Sequence, residues 1–186
     1  MDNLLTNVSR ETSERIMRYI SLLQKWNAKI NLVSKQQDYE HLINDHVLDC
    51  LQLERFISDK DAKILDIGSG AGFPGMILAI LGYKNCVLVE IISKKATFLK
   101  TVLLDLQLPN KVINDDIQKV IESDVQYIVS RAVASANDLI NLTTHLIAEN
   151  TAIILLKSKL QIDELKEVSK KWNYELQEYQ NIYKKF

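Results

Sequence analysis

The 186-residue sequence is poor in glycine, proline and cysteine, with five, two and two copies. No apolar run approaches the length of a membrane-spanning helix, and the first residues lack the basic and apolar regions of a secretory signal. Cys50 and Cys86 stand alone in apolar segments, so we expect reduced core residues and no metal site. The net charge of −1 means that nucleic-acid binding would need a local basic patch. These absences predict a cytoplasmic protein without membrane contact.

The few glycines are concentrated in one stretch. All five lie between Gly68 and Gly82, and four belong to residues 63–75, KILDIGSGAGFPG. Within this stretch the mostly apolar run 64–67 precedes the glycine loop, residues 68–75, and a second apolar run, residues 76–81, follows the loop. Strand, glycine loop and helix in this order are typical of a nucleotide-cofactor site, because glycine permits tight turns and a close approach of the ligand to the backbone.

Apolar segments alternate with amphipathic ones from residue 63 onward. This alternation predicts parallel βαβ units in a doubly wound α/β domain over residues 59–186. Residues 1–58 carry helical periodicity, with Ile16, Ile20 and Leu23 on one face, and predict a helical extension packed on the core. The predicted strands are 63–67, 86–91, 111–114, 126–130 and 152–156, and the predicted helices between and after them are 75–81, 93–107, 135–148 and 160–171. A weak further strand is predicted over residues 174–179.

Two cofactors fit the glycine loop. Residues 70–75 match GxGxxG, and Glu90 follows Gly70 by 20 residues, as in nicotinamide-dependent oxidoreductases. The alternative register, Asp66-x-Gly68-x-Gly70-x-Gly72, is typical of S-adenosylmethionine loops. There Asp66 would hold the aminoacyl end of the cofactor and Glu90 the ribose hydroxyls. We favour the second, because Asp66 is polar within an apolar strand and the chain has little room for a substrate domain.

The segment DIGSGAGFPG, with Phe-Pro-Gly closing the loop, resembles the small-subunit (16S) rRNA guanine-N7 methyltransferase family, also called glucose-inhibited division protein B. The similarity runs in order from about Leu22 to about Lys159. The other segments that carry it are LLQKWNAKINLVS (22–34), DHVLDC (45–50), SKKATFLK (93–100), VSRAVAS (129–135) and LLKSK (155–159).

The resemblance implies a Rossmann-like methyltransferase sheet and a set of site residues. Together with the loop pattern, the expected cofactor contacts are Asp66, Gly68, Gly70, Gly72, Phe73, Glu90, Ile117, Gln118 and Arg131. Candidates for RNA contact are Arg131, Lys157, Lys94 and Lys95. Gln118 stands where the family usually carries an acidic residue, and the neighbouring Asp116 is a substitute. The chain also ends before the last antiparallel strand of such sheets, so we expect that edge strand to be missing or reduced.

The implied reaction transfers a methyl group from S-adenosylmethionine to N7 of a specific guanine in 16S rRNA, within the rRNA or the small ribosomal subunit. N7 carries a free lone pair, so catalysis by proximity and orientation suffices and we expect neither a catalytic dyad nor a metal. We expect a monomer. The alternatives are a nicotinamide-dependent oxidoreductase and a non-catalytic RNA- or ribosome-binding module.

Overall fold

A computed structural model provides the structure of the chain. It describes residues 5, 8–34, 38–131, 135–156, 175, 177–180 and 182. The predicted helix 160–171 and the candidate Lys157 lie outside these residues. Of the weak strand predicted over 174–179, residues 175 and 177–179 are described and do not belong to a strand.

Five parallel strands form one sheet in the order β3-β2-β1-β4-β5. Each predicted strand is confirmed, with ends that differ by at most two residues. Their bounds are β1 Ile64–Ile67, β2 Cys86–Val89, β3 Lys111–Ile113, β4 Tyr127–Arg131 and β5 Ala152–Leu156. The central strands β1 and β2 are buried along their whole length, which explains why their sequences are apolar apart from Asp66. The predicted α/β fold is thereby confirmed.

Helices connect the strands. Their bounds are α4 Gly75–Ile80, α5 Ser93–Asp105 and α6 Ala136–Thr143, and a 3-10 turn, Ile117–Lys119, follows β3. The side chain of Ser135 accepts a hydrogen bond from the Asp138 amide at 3.1 Å and caps α6.

Two helical segments precede the sheet. Helix α1 spans Arg10–Asn27, and its buried side consists of Ile16, Tyr19, Ile20 and Leu23. The second segment consists of α2 Tyr39–Leu42, a π-helical turn Ile43–Val47, α3 Leu48–Leu51 and a 3-10 turn Gln52–Arg55. Among the described residues, no helix is long and apolar enough to cross a membrane.

The two faces of the sheet are covered differently. Helices α1, α3, α4 and α5 share one apolar core, which joins the N-terminal segments to the face that carries Leu88. The opposite face, with Leu65, Ile67 and Val89, packs against α6 and the 3-10 turn after β3. The N-terminal helices therefore pack against α4, which follows the glycine loop, and against α5, which follows β2.

The strand order places a candidate site at one edge. From β1 the chain runs outward through β2 to β3, and then returns to the other side of β1 to form β4 and β5. The order thus reverses beside β1, and ligands of open α/β sheets bind at the carboxyl ends of the strands at such a point. The glycine loop begins at the carboxyl end of β1.

Candidate active site

The glycine loop, residues 68–75, turns back over the end of the sheet. Gly68, Gly70 and Gly72 have φ angles of 67°, 56° and 106°, in the left-handed region that favours glycine. The amides of Gly68 and Ser69 both donate to the Val89 carbonyl, at 2.9 and 3.0 Å. The start of the loop is therefore fixed to the end of β2.

Glu90 follows β2 and joins the loop from the side. Its Oε2 accepts a hydrogen bond from the Gly70 amide at 2.8 Å, and its Oε1 accepts one from the Ile92 amide at 2.7 Å. Each carboxylate oxygen can accept a further hydrogen bond. The structure thus brings together the glycine loop and the carboxylate that the sequence places 20 residues later.

Asp66 lies beneath the loop. Its side chain is completely buried in β1, and its Oδ2 accepts a hydrogen bond from the Gly75 amide at 3.1 Å. No hydrogen bond from the described residues reaches its Oδ1. Burial, which disfavours the charged form, raises the pKa of Asp66 to about 7, against the lowering effects of the Ser69 side chain and the Gly75 amide; the nearby Glu90 carboxylate adds to the rise. The predicted contact of Asp66 with the cofactor stays a prediction.

Gly75, the last residue of the loop, lies where there is no room for a side chain. A Cβ atom at this position would lie 2.5 Å from Oδ2 and 2.7 Å from Cβ of Asp66. The absence of a side chain lets the first turn of α4 approach β1 closely enough for the amide of Gly75 to bond Asp66. The aspartate of the strand and the last glycine of the loop thus form one structural unit.

Phe73 connects the loop to both N-terminal segments. Its ring packs edge-on against Tyr19 of α1, with 5.6 Å between ring centroids, and stacks on His46 of the π-helical turn at 4.8 Å. The side chain is only 6% exposed, because it packs between the loop and these two N-terminal segments. Its predicted contact with the cofactor also stays a prediction.

Arg131 ends β4 and faces the second helical segment. Its Nη2 donates to the carbonyl oxygen of Asp45 at 2.5 Å and lies 3.5 Å from Oδ2 of Asp49. The carbonyl of Asp45 belongs to a π-helical turn, a feature frequently found at functional sites. Arg131 is therefore at the predicted edge of the sheet, held by a segment 86 residues earlier in the chain.

The predicted adenine contacts lie in the 3-10 turn after β3. Ile117 is 9% exposed and packs under the sheet, whereas Gln118 is exposed. Asp116 accepts a hydrogen bond from the Gln118 amide at 3.1 Å and so caps this turn. Because the Asp116 side chain caps the turn in this way, an aspartate at this position is explained without a contact to any ligand.

Two of the predicted RNA contacts lie in the first turn of α5. Lys94 is exposed and Lys95 is half-exposed, close in sequence to Glu90 at the same edge of the sheet. Within the described residues, no group of three or more His, Cys, Asp or Glu side chains could hold a metal ion.

The sequence-based prediction missed Tyr19. Its hydroxyl donates to the carbonyl oxygen of Ala71 in the glycine loop, at 2.6 Å. The spacing Ile16-Tyr19-Ile20-Leu23 places this tyrosine on the buried face of α1, and a buried tyrosine hydroxyl needs an acceptor. That signal identifies the side chain but not its partner, which is 52 residues away.

The loop and its neighbours fit a cofactor that carries a ribose. A Cβ atom added at Gly70 would meet only the Gly68 carbonyl oxygen, at 3.6 Å, so there is space above the middle of the loop. Glu90 lies beside this space and retains acceptor capacity for a cis-diol. The backbone of the loop, the carboxylate of Glu90 and the space for a ligand therefore lie together at the carboxyl edge of the sheet.

Comparison with known proteins agrees with this arrangement. The family model of rRNA small subunit methyltransferase G, GidB, matches residues 12–185. A protein of Paramagnetospirillum magneticum named ribosomal RNA small subunit methyltransferase G is 38% identical over 92% of this chain and 84% of its own length. A protein of the same name from Orientia tsutsugamushi (strain Ikeda) is 38% identical over 94% of this chain and 87% of its own.

Solved structures support the fold. A putative S-adenosyl-L-methionine-dependent methyltransferase from Methanococcus maripaludis superposes with a TM-score of 0.54 at 11% identity, over 89% of this chain and 74% of the other. A putative RNA methyltransferase from Pyrococcus horikoshii gives a TM-score of 0.51 at 16% identity, over 80% of both chains. At such low identities these similarities concern the fold alone.

The family follows from the sequence comparison. The matching model covers nearly the whole chain, and the two relatives are 38% identical to it over the aligned residues. The predicted enzyme class and the predicted cofactor, S-adenosylmethionine, are confirmed, and a nicotinamide-dependent oxidoreductase is not favoured. The chain belongs to the rRNA small subunit methyltransferase G family.

Proposed function

We propose that this chain transfers the methyl group of S-adenosylmethionine to N7 of a specific guanine in 16S rRNA. The observation that carries the proposal is the bond between Glu90 and the glycine loop at the carboxyl edge of the sheet, in a chain of an rRNA methyltransferase family. The names of its relatives support the small-subunit RNA as the substrate.

The cofactor contacts follow from the loop. Glu90 accepts the two ribose hydroxyls, and the backbone of Gly68, Gly70 and Gly72 approaches the methionine and ribose parts. Phe73 supports that backbone from behind, and the apolar Ile117 lies toward the adenine with Gln118. S-adenosylmethionine supplies a methyl group that is already activated on a sulfonium, so the protein has to orient and to exclude water.

The substrate contacts lie along the same edge. Guanine N7 has a free lone pair at neutral pH, so the protein needs no general base and acts by proximity and orientation. Arg131 is the leading candidate for contact with the base or a phosphate, because it ends β4 next to the loop. Lys94 and Lys95, which follow β2, add positive charge at the same edge of the sheet, and Lys157 would extend this rim.

We also propose that the protein acts as a monomer in the cytoplasm, where small ribosomal subunits are assembled. Residues 1–58 are an extension whose helices complete the core of the methyltransferase domain, residues 59–186. Among the large apolar side chains that are exposed in the described part of the chain, Leu104 and Ile121 lie on separate elements, whereas Ile91 and Ile92 are adjacent between β2 and α5. Light scattering of the purified protein tests the monomer, and cell fractionation tests the location.

Tritiated S-adenosylmethionine tests the reaction. The protein is incubated with deproteinised 16S rRNA and, separately, with assembled small subunits that have not been methylated. We expect label on one or both substrates, and strand scission by borohydride and aniline at a single guanine, because N7-methylguanosine is sensitive to this treatment.

Each other outcome contradicts a defined part of the proposal. Absence of label from both substrates contradicts an rRNA target, and label without scission contradicts N7 as the acceptor. Binding of RNA and cofactor without turnover would favour a non-catalytic module. The comparison of the two substrates also shows whether ribosomal proteins contribute to the recognised surface.

A further inference from the structure

Tyr19 makes a contact that the cofactor loop alone does not explain. It lies in the middle of α1, in a segment that precedes the loop by about 50 residues, and its side chain is completely buried. Its hydroxyl donates to the Ala71 carbonyl at 2.6 Å. Burial raises the pKa of Tyr19 well above its usual range, so the hydroxyl stays protonated and remains a donor.

The surrounding residues are shaped around this hydroxyl. A Cβ atom at Gly72 would lie 3.0 Å from the Tyr19 hydroxyl oxygen and 2.9 Å from the Met76 Cβ. The Tyr19 ring also packs edge-on against Phe73. The third loop glycine therefore leaves room for a side chain of α1 as well as permitting its own positive φ.

One peptide plane of the loop is held at both ends. The carbonyl of Ala71 and the amide of Gly72 belong to the same planar peptide unit. Tyr19 bonds the carbonyl, and the Gly72 amide donates to the Ser69 carbonyl at 2.6 Å. A segment with glycines at positions 68, 70 and 72 would otherwise have wide conformational freedom, which binding would have to remove.

We propose that Tyr19 is a positioning residue of the cofactor site: its hydroxyl fixes the Ala71–Gly72 peptide plane and preorganises the loop for S-adenosylmethionine. The proposal rests on the proposed function, since it concerns the same cofactor. It makes helix α1 part of the cofactor site without direct contact between the helix and the ligand. Preorganisation of this kind improves affinity by lowering the entropy that binding costs.

The variant Tyr19→Phe removes only the hydroxyl. The matched control is Tyr83→Phe, because the Tyr83 hydroxyl is equally buried and donates to the Ile57 carbonyl, away from the loop. We expect both variants to lose thermal stability. Calorimetry should show a roughly three- to tenfold higher Kd for S-adenosylmethionine in Tyr19→Phe, the range of one net hydrogen bond, and no change in Tyr83→Phe.

Methylation kinetics provide a second readout. Tyr19→Phe should raise the KM for S-adenosylmethionine and keep kcat, because saturating cofactor restores the ordered loop. Unchanged cofactor affinity in Tyr19→Phe would overturn the proposal, and so would equal weakening in both variants. If the unmodified protein itself does not bind S-adenosylmethionine, the proposed function fails, which is a distinct result.

Discussion

Asp66 lies in β1 and Glu90 directly follows the neighbouring strand β2, and the environments of these two carboxyl groups differ. Asp66 is inside β1 and completely buried, with one oxygen bonded to Gly75. Glu90, which is 4% exposed, lies one residue beyond the end of β2, and its two oxygens accept hydrogen bonds from the amides of Gly70 and Ile92. The first supports the loop from below, and the second borders the space where the cofactor is proposed to bind.

The difference comes from their positions along the strands. Asp66 points to the sheet face that α4 covers, so no solvent reaches it. Glu90 follows the last paired residue of β2, where the chain leaves the sheet. We therefore expect the two carboxyl groups to serve different purposes, and three measurements can separate them.

The largest effect is expected for Glu90→Gln. A side-chain amide has one acceptor oxygen, so the variant can no longer accept hydrogen bonds at both of the positions that the Glu90 oxygens occupy. It therefore loses one of the two bonds to backbone amides and weakens the proposed contact with the ribose. We expect the Kd for S-adenosylmethionine to rise about 30-fold, near 2 kcal/mol, as for charge-assisted hydrogen bonds. Calorimetry measures it, with Glu122→Gln as the control.

Glu122 is a suitable control because it is a partly buried carboxylate elsewhere on the sheet. It pairs with Lys63 and Lys111, at 2.5 and 3.2 Å, near the amino ends of β1 and β3. Its replacement should reduce stability and leave cofactor affinity unchanged. A Glu90→Gln protein with normal affinity would remove Glu90 from the cofactor site.

Gly75→Ala tests the unit that Gly75 forms with Asp66. The added methyl would overlap the aspartate, so we expect a loss of about 2 kcal/mol in the free energy of unfolding, as for overpacked cores. Urea denaturation measures it. In an Asp66→Ala background the loss should be smaller, because the Oδ2 and Cγ atoms of Asp66 are gone and only its Cβ still overlaps the added methyl. Additive losses in the double variant would contradict the close contact.

Per pH unit, the pH dependence that Asp66 confers on stability is the smallest of the three effects. Its folded pKa of about 7 exceeds the ordinary value of 3.8, so between these values the folded state binds more protons than the unfolded state. This contribution to stability is complete below the lower value and is lost as the pH rises toward 7. The slope is at most about −1.4 kcal/mol per pH unit.

Asp66→Asn should remove this slope, whereas replacement of the exposed Asp61 by Asn should not. Urea denaturation at several pH values measures both variants. Cofactor affinity in Asp66→Asn then decides between two roles of Asp66. Little change means that the residue acts through the loop, and a loss as large as that of Glu90→Gln means direct contact with the cofactor.

Much of the architecture was accessible from the sequence. Apolar runs, interrupted in β1 by Asp66, mark the buried parallel strands. The spacing between Gly70 and Glu90 predicted a pair that the structure joins by a hydrogen bond. Such features depend on local periodicity or on one βαβ unit, whose geometry is nearly constant.

Other contacts were not accessible from the sequence. Arg131 bonds Asp45, and Tyr19 bonds Ala71, across separations of 86 and 52 residues. The sequence by itself determined the strands, the loop and the family. Only the tertiary structure decided that Asp66 lies under the loop and that α1 reaches it, because helix packing across the sheet face selects partners that no local pattern specifies.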